Sequence, residues 1–137
     1  MVIEVVFEHA RSTEFQHCPS RWQAVHLFES EADAVEFAMM YRQYQQRPYI
    51  YEVSVQATTT VFRADQILLN EGLNYLADPG TELEQMKDRA RKYWSSQFSR
   101  NPLVEALAPA GDAEVQRLMR ILDRRAPIPA GQALPPR

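Results

Sequence analysis

The chain has 137 residues, 45% of them hydrophobic and 24% charged, which is enough to bury one core without disulfides or metals. A net charge of −3 excludes a global field toward nucleic acid or anionic lipid, and the single cysteine, Cys18, excludes an internal disulfide and suits a reducing compartment. Glu4 and Glu8 interrupt the opening residues, so no signal-peptide core is expected, and the apolar runs are too short to span a bilayer; a cytoplasmic location follows as the expectation.

Residues 1–125 are expected to form a single α+β domain, followed by a tail, 126–137, that holds four of the nine prolines. Val2, Val5, Val6 and His9 recur at helical spacing over Val2 to Arg11. The run is also rich in β-branched residues, but the spacing favours a helix. After Pro19, Trp22 to Phe28 reads as a strand with apolar residues on both faces, which suits a central position. Ser30 is placed to cap a helix reaching about Gln45, with Asp33 as its capping-box partner and Ala34, Val35, Phe37, Ala38, Tyr41 and Tyr44 along one side. Tyr49 to Val55 alternates cleanly and is the clearest strand in the chain.

Asp65 can cap a short helix through Leu69, and Gly72 with Asp78-Pro79-Gly80 brackets a loop. Thr81 then opens a long helix with the stripe Leu83, Met86, Ala90, Tyr93 and Trp94. Leu103 to Ala108 is expected to be a strand, with Glu105 on the same face as Leu103 and Leu107. A carboxylate there either points to water from an edge strand or is held at the floor of a cleft, because burying it unpaired is costly. Pro109 to Asp112 forms a turn. The segment Val115 to Leu122 fits a helix through Val115, Leu118, Met119 and Leu122, yet Val115, Arg117, Met119 and Ile121 also alternate as in a strand.

Few residues group as a chemical site. His9, His17, Cys18 and His26 lack the spacing of a zinc knuckle, and no metal is expected. The four glycines form no phosphate-cradling loop. Lys87, Arg89, Arg91 and Lys92 are interleaved with Glu82, Glu84 and Asp88, the pattern of a solvated face rather than a nucleic-acid stripe.

Three segments taken together carry a resemblance. They are Glu8-x-x-Arg11 followed by Phe15-x-x-x-Pro19-Ser20-Arg21 and Trp22 to Phe28; Tyr49-Ile50-Tyr51-Glu52-Val53 with Arg63-Ala64-Asp65; and Ala90-Arg91-Lys92-Tyr93-Trp94 leading to Glu105-Ala106-Leu107 and Val115. In this order they resemble a bacterial domain family of poorly known activity related to the ADP-ribosyltransferases. The resemblance implies an ADP-ribosyltransferase-like fold of reduced size, with split mixed or antiparallel sheets, flanking helices and an NAD cleft between the sheets. It implies Glu105 as the catalytic carboxylate stabilising a ribosyl cation, and Ser20 and Arg21 as NAD-binding residues, with Arg21 on the diphosphate. It also calls for a returning strand, so residues 103–120 are expected to form a β-hairpin.

The family's first NAD-holding residue lies upstream of the Glu-x-x-Arg helix. Either His9 or Arg11 takes its place, another chain supplies it, or NAD binding is lost. The alternative expectation is therefore a non-catalytic module that binds a partner protein, as an inhibitor, an immunity factor or a phage-type accessory protein does, with neither membrane nor nucleic acid as its partner.

Overall fold

The computed structural model describes residues 2–40, 49–70 and 79–122. The expected end of the second helix at Gln45, with Tyr41 and Tyr44, lies outside the described residues, as do Gly72, Asp78, the boundary at 125 and the proline-rich tail. Among the described residues the chain is α+β, with four α-helices and two small antiparallel sheets. Among the described residues no helix is long and apolar enough to cross a membrane.

The first element is a helix, α1 (Val2–Glu14), despite its β-branched residues. Packing decides this, since a helix here lays a stripe onto the core that its intrinsic preferences alone would not select. The stripe is not the expected one. Phe7 and Ala10 are buried with Ile3 and Val6 packed against the core, whereas Val5 and His9 are exposed.

Strand β1 (Ala24–Phe28) starts two residues later than expected and lies at an edge of the three-stranded sheet, whose order is β1-β4-β3. Ser30 caps α2 (Glu31–Met40) by accepting the Asp33 backbone N–H at 3.1 Å. Strand β2 (Tyr49–Val55) has the predicted bounds. The short strand β3 (Phe62–Asp65) was not foreseen; four residues carry too little alternation to stand out, yet it completes the sheet.

Asp65 does more than open α3 (Ile67–Asn70). Fully buried, it accepts the backbone N–H groups of Ile67 at 3.0 Å, Leu103 at 3.1 Å and Ser99 at 2.7 Å. One carboxylate thus ties the end of β3 to the entry of the strand that pairs with it.

The long helix α4 (Pro79–Trp94) begins ahead of Thr81, with Pro79 in the first turn where its missing N–H costs nothing. Met86, Ala90, Tyr93 and Trp94 are buried as the stripe predicts, but Leu83 is exposed. The helix ends in a Schellman arrangement. Ser96 takes a left-handed φ of 54°, Gln97 N–H donates to the Lys92 carbonyl at 2.9 Å and Ser96 N–H to Tyr93 at 3.1 Å.

Strand β4 (Val104–Pro109) is central, flanked by β1 and β3, so the edge-strand reading of Glu105 is wrong. A 3-10 turn, Ala110–Asp112, leads to β5 (Ala113–Ile121), a strand and not the helix its periodicity allows. The expected hairpin does not form, because β5 pairs with β2 and β4 with β1 and β3. The chain turns a corner between sheets, held where Gln56 N–H donates to the Asp112 carbonyl at 3.0 Å and the Thr59 hydroxyl to the Asp112 carboxylate at 2.9 Å.

The core lies where α1 and α4 cover the three-stranded sheet: Phe7, Ala64, Leu68, Tyr93, Trp94 and Leu107 share one cluster. Tyr93 meets Phe7 and Trp94 edge-on, with centroids 5.4 and 4.8 Å away. The Trp94 indole N–H donates to the Phe7 carbonyl at 2.8 Å, locking the two helices together.

Replacing Asp65 by Ala strands three backbone donors at once. Urea unfolding of Asp65→Ala is expected to register a loss of about 3–5 kcal/mol, against less than about 1 kcal/mol for a change at an exposed position such as Glu84.

Candidate functional site

Five elements converge on Glu105. Helix α1 places Glu4, Glu8 and Arg11 at i, i+4 and i+7, a polar ridge beside the buried stripe. The bend after Pro19 contributes Ser20 and Arg21, β1 contributes His26, α4 contributes Tyr93, and β4 contributes the carboxylate itself.

The geometry is that of a closed cluster. Glu105 is 1% exposed and Arg21 7%. Arg21 Nη1 donates to Glu105 Oε1 and, at 2.7 Å, to the Tyr93 hydroxyl, which in turn donates to the same carboxylate oxygen. The remaining edge of the guanidinium faces Glu4, with Nε and Nη2 at 3.0 and 3.1 Å from its oxygens. Glu105 Oε2 faces His26 Nδ1 at 3.4 Å, while His26 Nε2–H donates to the Arg21 carbonyl at 2.8 Å. Arg21 also lies over the Tyr93 ring, 5.4 Å from its centroid.

Electrostatics follow from this enclosure. Burial opposes ionisation of Glu105, but the His26 hydrogen bond, the Arg21 charge and the Tyr93 hydrogen bond together hold its carboxyl below the ordinary range. For Arg21 burial disfavours the charge, and Glu105, Tyr93 and Glu4 outweigh it, so its pKa is raised. Burial pushes the Tyr93 hydroxyl up, and the Glu105 charge pushes it further.

Ser20 belongs to a neighbouring set. Its hydroxyl donates to Glu8 at 3.1 Å, and Glu8 also pairs with Arg11 at 2.8 Å. Arg11 reaches the Cys18 carbonyl at 3.2 Å, which fixes the bend on α1. The structure therefore brings Arg21 and Glu105 into contact and leaves Ser20 turned to Glu8. Of the two substitutes considered for a missing first motif, His9 is exposed and Arg11 is occupied by Glu8.

A groove of about 770 Å³ opens between the two sheets, lined by Val25, Leu27, Phe37, Ile50, Tyr51 and Ala106 among others. Glu105, Arg21 and Ser20 do not line it, so the carboxylate does not form the floor of this cleft. His26 does line it, and is the point where cluster and groove meet.

The sequence reading missed three members. In the sequence Tyr93 is only part of an apolar stripe, His26 only a candidate metal ligand set aside for want of spacing, and Glu4 only a break in the opening apolar run. The ridge Glu4-Glu8-Arg11 alongside a buried stripe was the available signal, since a helix that buries one face presents the adjacent ridge to its neighbours. Among the described residues no three His, Cys, Asp or Glu side chains group as metal ligands do. On α4, Lys87 pairs with Glu84 at 3.4 Å and Lys92 with Asp88 at 3.0 Å on a solvated face, while Arg89 is buried.

Breaking the cluster leaves a buried charge without its partner. Arg21→Ala is expected to lose about 3–5 kcal/mol in urea unfolding. Tyr93→Phe removes only a hydroxyl and is expected to lose about 1–3 kcal/mol. Arg117→Ala, which breaks an exposed pair with Glu52 at 2.9 Å, is expected to lose at most about 1 kcal/mol. Because the Glu105 pKa is lowered from 4.5, its contribution is complete above that value and is lost as pH falls through the folded-state pKa, which acid unfolding of the wild type against Glu105→Gln will register.

No curated protein matches the chain. Residues 1–120 match the family described as "Protein of unknown function (DUF2441)", and the chain, closed polar cluster included, belongs to that family.

Proposed function

We propose that this domain acts by binding another protein, in the manner of an inhibitor, immunity factor or accessory protein, on a scaffold related to the ADP-ribosyltransferases but without their catalysis. One observation carries the reading: the two Glu105 oxygens are engaged by Arg21, Tyr93 and His26, in a residue 1% exposed. Stabilising a ribosyl cation requires an ionised carboxylate aimed at the substrate, and here three side chains occupy the space in front of it. Ser20 is engaged by Glu8 in the same way.

A surface suited to a partner supports the proposal. Tyr49, Tyr51, Val115, Leu118 and Ile121, on the two-stranded sheet, are each 45% to 62% exposed. Cross-strand pairing sets Tyr49 against Ile121 and Tyr51 against Leu118, so the apolar side chains stand in rows instead of being scattered. Residence in the cytoplasm is part of the reading, supported by a single buried thiol, Cys18.

A nucleotide-transfer reading has one observation in its favour. The groove between the sheets falls within the roughly 300–1,000 Å³ of small-molecule sites, and His26 joins its lining to Glu105. NAD would be the substrate in that case.

The purified protein, incubated with labelled NAD and cell extract, is expected to leave the label in NAD. Leu118→Asp is expected to abolish the stoichiometric complex recovered from the producing cell, which Glu4→Gln should preserve. Nicotinamide release or label transfer that disappears in a folded Glu105→Gln variant would overturn the proposal in favour of catalysis.

A further inference from the structure

His26 lies against a network in which carboxylates outnumber cations. Glu105 on β4 and Glu4 on α1 are both within hydrogen-bond distance of the Arg21 guanidinium, so two carboxylates share one fixed cation. Tyr93 on α4 adds a hydroxyl and no charge. The charged side chains of the groove are paired elsewhere: Glu29 with Arg63, Glu31 with Arg120, and Glu52 with Arg117. The Arg21 network therefore carries one carboxylate more than it has cations, and Glu105 is the member that faces the imidazole.

The ring is also placed between two acceptors. Nε2 faces the Arg21 carbonyl at 2.8 Å and Nδ1 faces Glu105 Oε2 at 3.4 Å. Only the imidazolium satisfies both, because a neutral ring with its hydrogen on Nε2 turns the Nδ1 lone pair toward a carboxylate. About a third of the side chain, 32%, is exposed, so protons can exchange with solvent.

We propose that His26 is a proton-operated latch between the groove and the buried cluster: protonated, it bridges the Arg21 carbonyl and Glu105; on losing the proton it releases Glu105 and loosens the groove wall. The inference is independent of whether the groove binds a nucleotide or the exposed sheet binds a protein. Burial and the Arg21 charge oppose the proton, yet the Glu105 hydrogen bond, the Arg21 carbonyl and the Glu105 charge prevail, and the His26 pKa is raised from 6.5. A raised histidine contributes stability that is complete below the unfolded-state value and lost as pH rises through the folded-state one. The sensitive window therefore begins at 6.5 and extends upward.

Two measurements on the full chain decide the matter. In NMR, the His26 ring is expected to titrate with a midpoint above 6.5, and the Tyr93 and Arg21 side-chain signals to follow the same curve. Glu4→Gln removes the surplus charge at a partly exposed position and is expected to lower that midpoint. In thermal melts from pH 6.5 to about pH 9, the wild type is expected to lose more stability than His26→Gln, which has no proton to lose. A ring midpoint at or below 6.5, a midpoint unmoved by Glu4→Gln, or parallel melting profiles would each overturn the latch. The ring titration on wild-type protein decides the question even if His26→Gln does not fold.

Discussion

The enclosure of one ion pair, Arg21 with Glu105, constrains the rest of this molecule. A buried carboxylate and guanidinium are tolerated only when the remaining donors and acceptors are satisfied, and that requirement recruits Tyr93 from α4, Glu4 from α1 and His26 from β1. Each recruited side chain fixes the element that carries it. The helices are consequently positioned over the three-stranded sheet by polar geometry as well as by the apolar contacts of Phe7, Trp94 and Leu107. Apolar contacts alone would permit small slides of one helix along another. A directional network with partners on two helices and two strands does not.

The same constraint separates the core from the groove. Everything around Glu105 is closed and mutually satisfied, whereas the space between the sheets is open and lined largely by apolar and aromatic side chains. A second buried carboxylate, Asp65, works differently, holding three backbone amides and, among the described residues, no side-chain cation. The fold thus uses two acidic residues as internal fasteners. Sequence alone does not tell a fastener from a reagent, because each is an acid on an apolar strand or at its end.

Local patterns were read well where one face of a long element decided the outcome. The alternation over Tyr49 to Val55 gave the strand its bounds, and the spacing over the first residues gave a helix. Which helical face is buried was misjudged, because Val5 and Phe7 are equally apolar and only contact with α4 selects Phe7. The position of β1 at an edge and the pairing of β5 with β2 were not legible, since strand order is a matter of long-range topology. At the site, Glu105 and Arg21 were singled out together and do touch. Their partners Tyr93 and His26 were not, because a tyrosine in a stripe and a lone histidine give no sign of what they will face across 12 and 79 residues of chain.

The corner between β4 and β5 has a mechanical corollary. These two strands are nearly continuous in the chain, parted by Ala110–Asp112, yet each belongs to a different sheet and so to a different wall of the groove. The backbone that carries Glu105 lies only a few peptide units before the corner. The Asp112 contacts to Gln56 and Thr59 brace that corner against the two-stranded sheet. The two walls of the groove are thus hinged on a short, braced corner and not on a free loop.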